Sequence, residues 1–286
     1  MEVRKGSHIL INDPSNPAQD SILLSRLLSF CLVATALLVC QRSYAGVEPT
    51  AGTFIYDGTP IDEFHCVPAD SGQHPAVIMI HSCGKIGFGH EEYRQMCRSL
   101  AEHSYYAEFV EYYSKTGAPN CAQFSIDPEN NLSAQLPLPS EVYIRTIHAA
   151  IDSLQDNPHV DATRIGLLAF GDGVVEALTI GPDRPANVRA IVGYYANVTP
   201  RLKAGVIKAK LFPPTLMLRG DGDSRVSGSY SAELEDDIAE HGGEHEVHVY
   251  PGAEHGFNFH EARGFDAYAS KDAWTRTLAF LDAHLL

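Results

Sequence analysis

Four largely apolar runs constrain this chain more than any other feature: AVIMIH (76–81), RIGLLAF (164–170), RAIVGYY (189–195) and PTLMLRG (214–220). Each is short and nearly unbroken, as expected of a strand covered on both faces of a sheet. YYAEFVEYY (105–113) and EVHVYP (246–251) read as further strands, and residues 53–56 and 61–66 read as a hairpin about Asp57-Gly58. Helical periodicity falls between them. A helix is predicted over about 90–103, another where Ile144, Ile147, Ile151 and Leu154 share a face, and a last one carrying Trp274, Leu278, Leu281 and Leu285. Helices are also expected after 164–170 and 214–220, with one after 189–195 left open. Residues 114–138 have three prolines and no periodicity, the pattern of a long loop beside a binding site. Such alternation predicts an α/β fold, a mainly parallel sheet with helices on both faces, in one domain.

Composition excludes several functions. Of 286 residues, 21 are Lys or Arg and 36 Asp or Glu, a formal charge of −15, and no basic cluster occurs. Nucleic acid is therefore not an expected partner, because neutralising phosphates needs clustered cations. The N-terminus is set apart. Leu27–Cys40 is an uncharged apolar stretch after Arg26, too short to span a bilayer comfortably but suited to a secretory signal. Small residues at Ser43 and Ala45 predict a cut before Gly46, giving a signal over 1–45 and a folded domain over 46–286 in a periplasmic or secreted protein. The stretch before Leu27 is long for a signal, which an over-extended start would explain. A membrane anchor or buried helix is the alternative reading, and an uncleaved segment is the only tie to a membrane expected.

Removal of 1–45 leaves Cys66, Cys83, Cys97 and Cys121, with three pairings open. Cys97 lies on an apolar helix face with Tyr93, Met96 and Leu100 and reads as a core residue, while Cys83 and Cys121 follow neighbouring predicted strands and form the candidate disulfide. His241, His245 and His248 lie close in sequence, but His245 and His248 point to opposite faces of a strand, so no metal site is expected. No cofactor is expected either.

Functional residues of a parallel sheet gather beyond the carboxyl ends of its strands. Asp223 follows one strand in RGDGDSRV (219–226), and His255 follows the last in YPGAEHGFNF (250–259). An Asp and then a His in this order suit a carboxylate that orients an imidazole base. With DGTPIDEF (57–64), PAVIMIHSCG (75–84), HVDATRIGLLAF (159–170) and AIVGYYA (190–196), these segments resemble the dienelactone hydrolase family of the α/β-hydrolases over roughly residues 53–286. The resemblance implies an α/β-hydrolase fold without a large lid domain. It also implies a small ester, lactone or aromatic acid as ligand, and a Ser or Cys nucleophile on a G-x-S-x-G or G-x-C-x-G elbow.

The elbow is where the chain departs from that pattern. The aligned residues are Ala169-Phe170-Gly171-Asp172-Gly173, so the nucleophile position is Gly171, which has no side chain. The oxyanion-hole candidates are the backbone of Asp172, whose carboxylate opposes a developing negative charge, and Cys83 in His81-Ser82-Cys83-Gly84-Lys85. Val174 stands where a second glycine is usual, and Glu176 lies on a helix that should pack against the sheet. The leading expectation is that acyl-enzyme catalysis is lost or very weak, with a pocket bordered by Ser82, Tyr112, Tyr113, Tyr194 and Phe257 still able to bind ligand. Two alternatives remain active hydrolases: one in which His255 and Asp223 activate water directly, and one in which Ser82 or Cys83 replaces the nucleophile.

Overall fold

The apolar runs become the inner strands of an eight-stranded sheet. A computed structural model describes residues 46–82, 90–112, 141–196, 212–225, 228–241 and 244–286 of the chain, and Val47–Leu286 form one unit. The predicted signal and the cut before Gly46, together with Cys83, Tyr113 and Cys121, lie outside the described residues. Among the described residues no helix is long and apolar enough to cross a membrane.

In chain order the strands are β1 (Thr50–Tyr56), β2 (Thr59–Cys66), β3 (His74–Ile80), β4 (Tyr106–Val110), β5 (Val160–Phe170), β6 (Val188–Tyr194), β7 (Thr215–Gly220) and β8 (His245–Tyr250). Their spatial order is β1-β2-β4-β3-β5-β6-β7-β8. The first two pairings are antiparallel and every pairing from β4 to β8 is parallel. The β1–β2 hairpin turns at Asp57-Gly58 as the sequence predicts, with both residues at positive φ. The strand predicted over 105–113 is shorter than expected, because Glu111 and Tyr112 leave the sheet after Val110.

Five helices cover the sheet: α1 (His90–Glu102), α2 (Glu141–Ser153), α3 (Gly173–Ile180), α4 (Gly228–His241) and α5 (Ala267–Leu285). Strand alternation divides the core in two. Ala76, Ile78 and Ile80 pack with Ile147 and Ile151 of α2 and Val174 and Leu178 of α3. Val77 and Met79 face the other way, toward Tyr93, Cys97 and Leu100 of α1 and Phe280 and Leu281 of α5. Residues 173–180 have little intrinsic tendency to form a helix, being few and rich in β-branched side chains. Burial stabilises α3 instead: Val174, Val175, Leu178 and Ile180 are all buried, each contributing roughly 1.5–3 kcal/mol.

One sequence reading needs correction. Cys97 is buried, as expected, but it is not a free core thiol: it forms a disulfide with Cys66, which ties the end of β2 to α1. Spacing could not have selected this bridge, because it joins a strand to a helix across 31 residues. It leaves Cys83 and Cys121 as the remaining two cysteines of the domain.

Candidate active site

The direction of connection reverses at β3, with β4 on one side and β5 on the other, and a crevice at such a switch point is where ligands bind in open α/β sheets. β3 and β5 run parallel in a register that pairs Ile80 with Ala169. Carried two residues further, that register sets Ser82 beside Gly171.

The elbow keeps its backbone although it has lost its side chain. Gly171 adopts φ +55°, the left-handed conformation that a nucleophile elbow demands and that costs glycine nothing. At Gly173 a Cβ would lie 2.6 Å from the His81 carbonyl oxygen and 2.7 Å from that of Ile80, so only glycine lets α3 start this close to β3. Val174, where a glycine is usual, is accommodated from the neighbouring strand. Its Cγ1 lies 2.7 Å from where a Cβ of Gly193 would stand.

The space over Gly171 is filled by its neighbour. A Cβ on residue 171 would meet Ser82 Oγ at 2.3 Å and Ser82 Cβ at 2.9 Å, with His255 Nε2 at 3.8 Å. The Ser82 hydroxyl thus occupies the region that an elbow side chain would enter, within reach of the same imidazole. Its backbone is well anchored. His81 Nδ1–H donates to the Ser82 carbonyl at 2.8 Å, the Ser82 N–H is hydrogen-bonded to the Tyr93 hydroxyl, and Tyr112 O–H donates to the His81 carbonyl at 2.6 Å. Burial pushes the His81 imidazole down to about 4, so near neutrality it is an uncharged donor to Ser82.

Asp223 and His255 meet because the loops after β7 and β8 are pressed together. Gly222 N–H donates to the Ala253 carbonyl at 3.1 Å and Gly252 N–H donates to the Asp221 carboxylate. His255 Nδ1–H donates to Asp223 Oδ2 at 2.8 Å, and the Arg225 N–H donates to Asp223 Oδ1 at 2.9 Å. A carboxylate can only accept, so Nδ1 carries the proton and Nε2 faces the elbow as a base. The Asp223 side chain is 3% exposed and that of His255 17%, a geometry suited to proton transfer with little competition from water.

Three residues expected to border the pocket belong to the core. Tyr112 supports the His81 backbone, Tyr194 turns away to share a hydrogen bond with Thr277 of α5 at 2.7 Å, and Phe257 is fully buried. Their rings fill the layer beneath the site. Sequence reasoning missed Tyr195, whose ring packs 4.7 Å from that of His255. Its φ is +38° and its hydroxyl is buried. The only sequence signal was the Tyr-Tyr doublet at the end of a strand.

Asp172 precedes α3, with no side-chain hydrogen bond capping the helix. Behind it Glu176 is buried as the sequence anticipated, and burial, reinforced by the Asp172 charge, pushes its carboxyl up to about 8. Near neutrality Glu176 is therefore mostly protonated, so one negative charge rather than two lies at this end of the helix. Among the described residues no group of three or more His, Cys, Asp or Glu side chains could hold a metal ion.

Known proteins match this arrangement over most of its length. A lactonase of Bradyrhizobium sp., given as "Probable 2-oxo-3-(5-oxofuran-2-ylidene)propanoate lactonase", is 25% identical over 225 residues, covering 76% of this chain and 87% of that protein. The crystal structure of a dienelactone hydrolase-like promiscuous phosphotriesterase from metagenomic libraries superposes with a TM-score of 0.65 at 18% identity, over 84% of this chain and 100% of the other. Dienelactone hydrolase from Anabaena variabilis gives 0.58 at 16% identity, over 84% of this chain and 100% of that one. These structural likenesses establish the α/β-hydrolase fold. The family model described as the dienelactone hydrolase family matches residues 61–285, most of the folded unit, and the chain belongs to that family.

Proposed function

We propose that this protein is an exported ester or lactone hydrolase in which the Ser82 hydroxyl takes the place of the missing elbow nucleophile. One observation carries the reading: Ser82 Oγ and His255 Nε2 both lie within 4 Å of the point where a Cβ on residue 171 would stand, at 2.3 and 3.8 Å. Lactone chemistry is supported by membership of the family and by the lactonase relative. In the first half-reaction His255 Nε2 accepts the Ser82 proton as Oγ attacks the carbonyl carbon. The ring C–O bond then breaks, and the imidazolium returns that proton to the departing oxygen. In the second, His255 takes a proton from water, hydroxide adds to the acyl group on Ser82, and the proton goes back to Oγ as the acid leaves. Asp223 remains ionised and holds the imidazole in place. Backbone N–H groups at the start of α3 supply the positive end of the helix dipole for the developing oxyanion.

Export is supported by the apolar segment over 27–40 and by the buried Cys66–Cys97 disulfide, which suits an oxidising compartment. N-terminal sequencing of protein recovered from the periplasm or medium is expected to begin at Gly46; an intact Met1 there would count against it.

The catalytic reading is tested on p-nitrophenyl acetate and a dienelactone. Ser82→Ala and His255→Ala are each expected to lower kcat by on the order of 10³-fold or more. A fluorophosphonate should label Ser82, located by mass spectrometry. Activity that survives Ser82→Ala but disappears with His255→Ala would replace covalent catalysis by direct activation of water. An inert native protein that gains activity in Ser82→Gly/Gly171→Ser would mean that acyl-transfer chemistry has been lost.

A further inference from the structure

A second cavity lies on the α1–α5 side of the molecule, with a volume of about 440 Å³. Met96, Tyr194, Phe265 and Trp274 give it apolar and aromatic walls, and Glu92 and Asn258 border it. None of these residues belongs to the Ser82–His255–Asp223 arrangement. Its volume falls within the range of pockets that hold small organic molecules.

The polar residues are unusual. Asn258 is 7% exposed, yet neither its carbonyl oxygen nor its amide nitrogen has a hydrogen-bond partner. Glu92 is 8% exposed; its Oε1 accepts the His260 N–H at 3.0 Å, which sets the carboxyl beside the 258–260 segment, and its Oε2 is unpartnered. Each such buried atom left unsatisfied costs roughly 1–3 kcal/mol. Together they present two acceptors, one of them anionic, and one donor at the edge of an aromatic-walled space. An amidinium would leave the Asn258 donor without an acceptor. A carboxylate would be repelled by Glu92. A primary amide answers all three, giving its N–H groups to Glu92 and the Asn258 carbonyl and its own carbonyl to the Asn258 amide.

We infer that this cavity is a second small-molecule site, selective for a planar apolar compound with a carboxamide head. The site is coupled to catalysis through the chain itself, since Asn258 lies three residues beyond His255 on the same segment. A ligand that pairs Asn258 fixes that segment and with it the imidazole.

Benzamide serves as the probe, with benzoate and benzamidine as comparators, in titration calorimetry and ligand-observed NMR on the chain starting at Gly46. Saturable binding of benzamide is expected, at least tenfold tighter than either comparator. Asn258→Leu, which keeps the volume and removes both polar atoms, should weaken it at least tenfold. Met96→Trp, which fills the cavity without touching the polar pair, should abolish it. Ser82→Ala and His255→Ala should leave it unchanged. Absence of saturable binding, equal binding of benzoate, or binding that survives Met96→Trp would overturn the assignment. Binding lost in Ser82→Ala would move the ligand to the catalytic cleft and overturn it too. The outcome is independent of whether the protein hydrolyses esters.

Discussion

Residues 82 and 171 behave as one unit divided between two strands. The side chain missing from the elbow reappears on the facing loop, so restoring the family pattern at one position creates a conflict at the other. Gly171→Ser alone would force a Cβ into a left-handed backbone position and to 2.3 Å from Ser82 Oγ. It is expected to destabilise the fold by roughly 1–3 kcal/mol. Adding Ser82→Gly should recover the steric part, giving a coupling of about 1 kcal/mol or more in a double-mutant cycle followed by urea unfolding. Strict additivity would show that the two side chains do not compete for space. Asp172 provides a second test at this scale. Its carboxylate stands at the start of the helix whose amides would face the oxyanion, so Asp172→Asn should raise kcat several-fold on p-nitrophenyl acetate. An unchanged or lower kcat would remove Asp172 from the electrostatics of the reaction.

Among the elements, the link between β2 and α1 is the clearest source of covalent stability. The Cys66–Cys97 bridge closes a loop with a sequence separation of 31 residues, for which unfolded-state entropy predicts roughly 3–4 kcal/mol. Cys66→Ala/Cys97→Ala should therefore lower Tm by about 10 °C, measured by calorimetry at neutral pH. A shift below about 2 °C would mean that packing of Leu100, Tyr93 and Phe109 holds α1 without the bridge. Neither cysteine shows this role in its local sequence. Cys97 sits on an apolar helix face where a reduced thiol would pack equally well, and the helix periodicity that identified that face says nothing about what lies opposite.

For the whole molecule, two buried titratable groups beside the site shape the dependence of stability on pH. His81 titrates near 4 in the fold against 6.5 in the open chain. Between those values the unfolded chain carries a proton that the native one lacks, so stability falls as pH drops from 6.5 toward 4. Glu176 titrates near 8 against 4.5, so between those values the native chain carries the extra proton and stability falls as pH rises. The two slopes oppose each other between about 4.5 and 6.5, and above 6.5 only that of Glu176 remains, at about 1.4 kcal/mol per pH unit. Burial pushes Glu108 up as well and acts in the same sense. Glu176→Gln should flatten the decline in stability between pH 6.5 and 8 in urea titrations; an unchanged slope would assign the decline to other groups.

The fold was legible because burial on both faces of a sheet leaves short unbroken apolar runs, and these occur in the order of an α/β-hydrolase. Asp223 and His255 were legible as well, each following a buried strand on a glycine-containing turn. Gly171 could be read as an absence because small residues at 169 and 173 still mark the elbow. What the sequence determined by itself was therefore the element order, the two late polar residues and the lack of an elbow nucleophile. Tertiary structure alone decided what fills that space: Ser82 and Gly171 are 89 positions apart and meet only through the β3–β5 register. The same holds for the Cys66–Cys97 bridge and for the unpaired Asn258 at the second cavity. Each depends on which surfaces come into contact, and local periodicity records only which side of an element is buried, never what it is buried against.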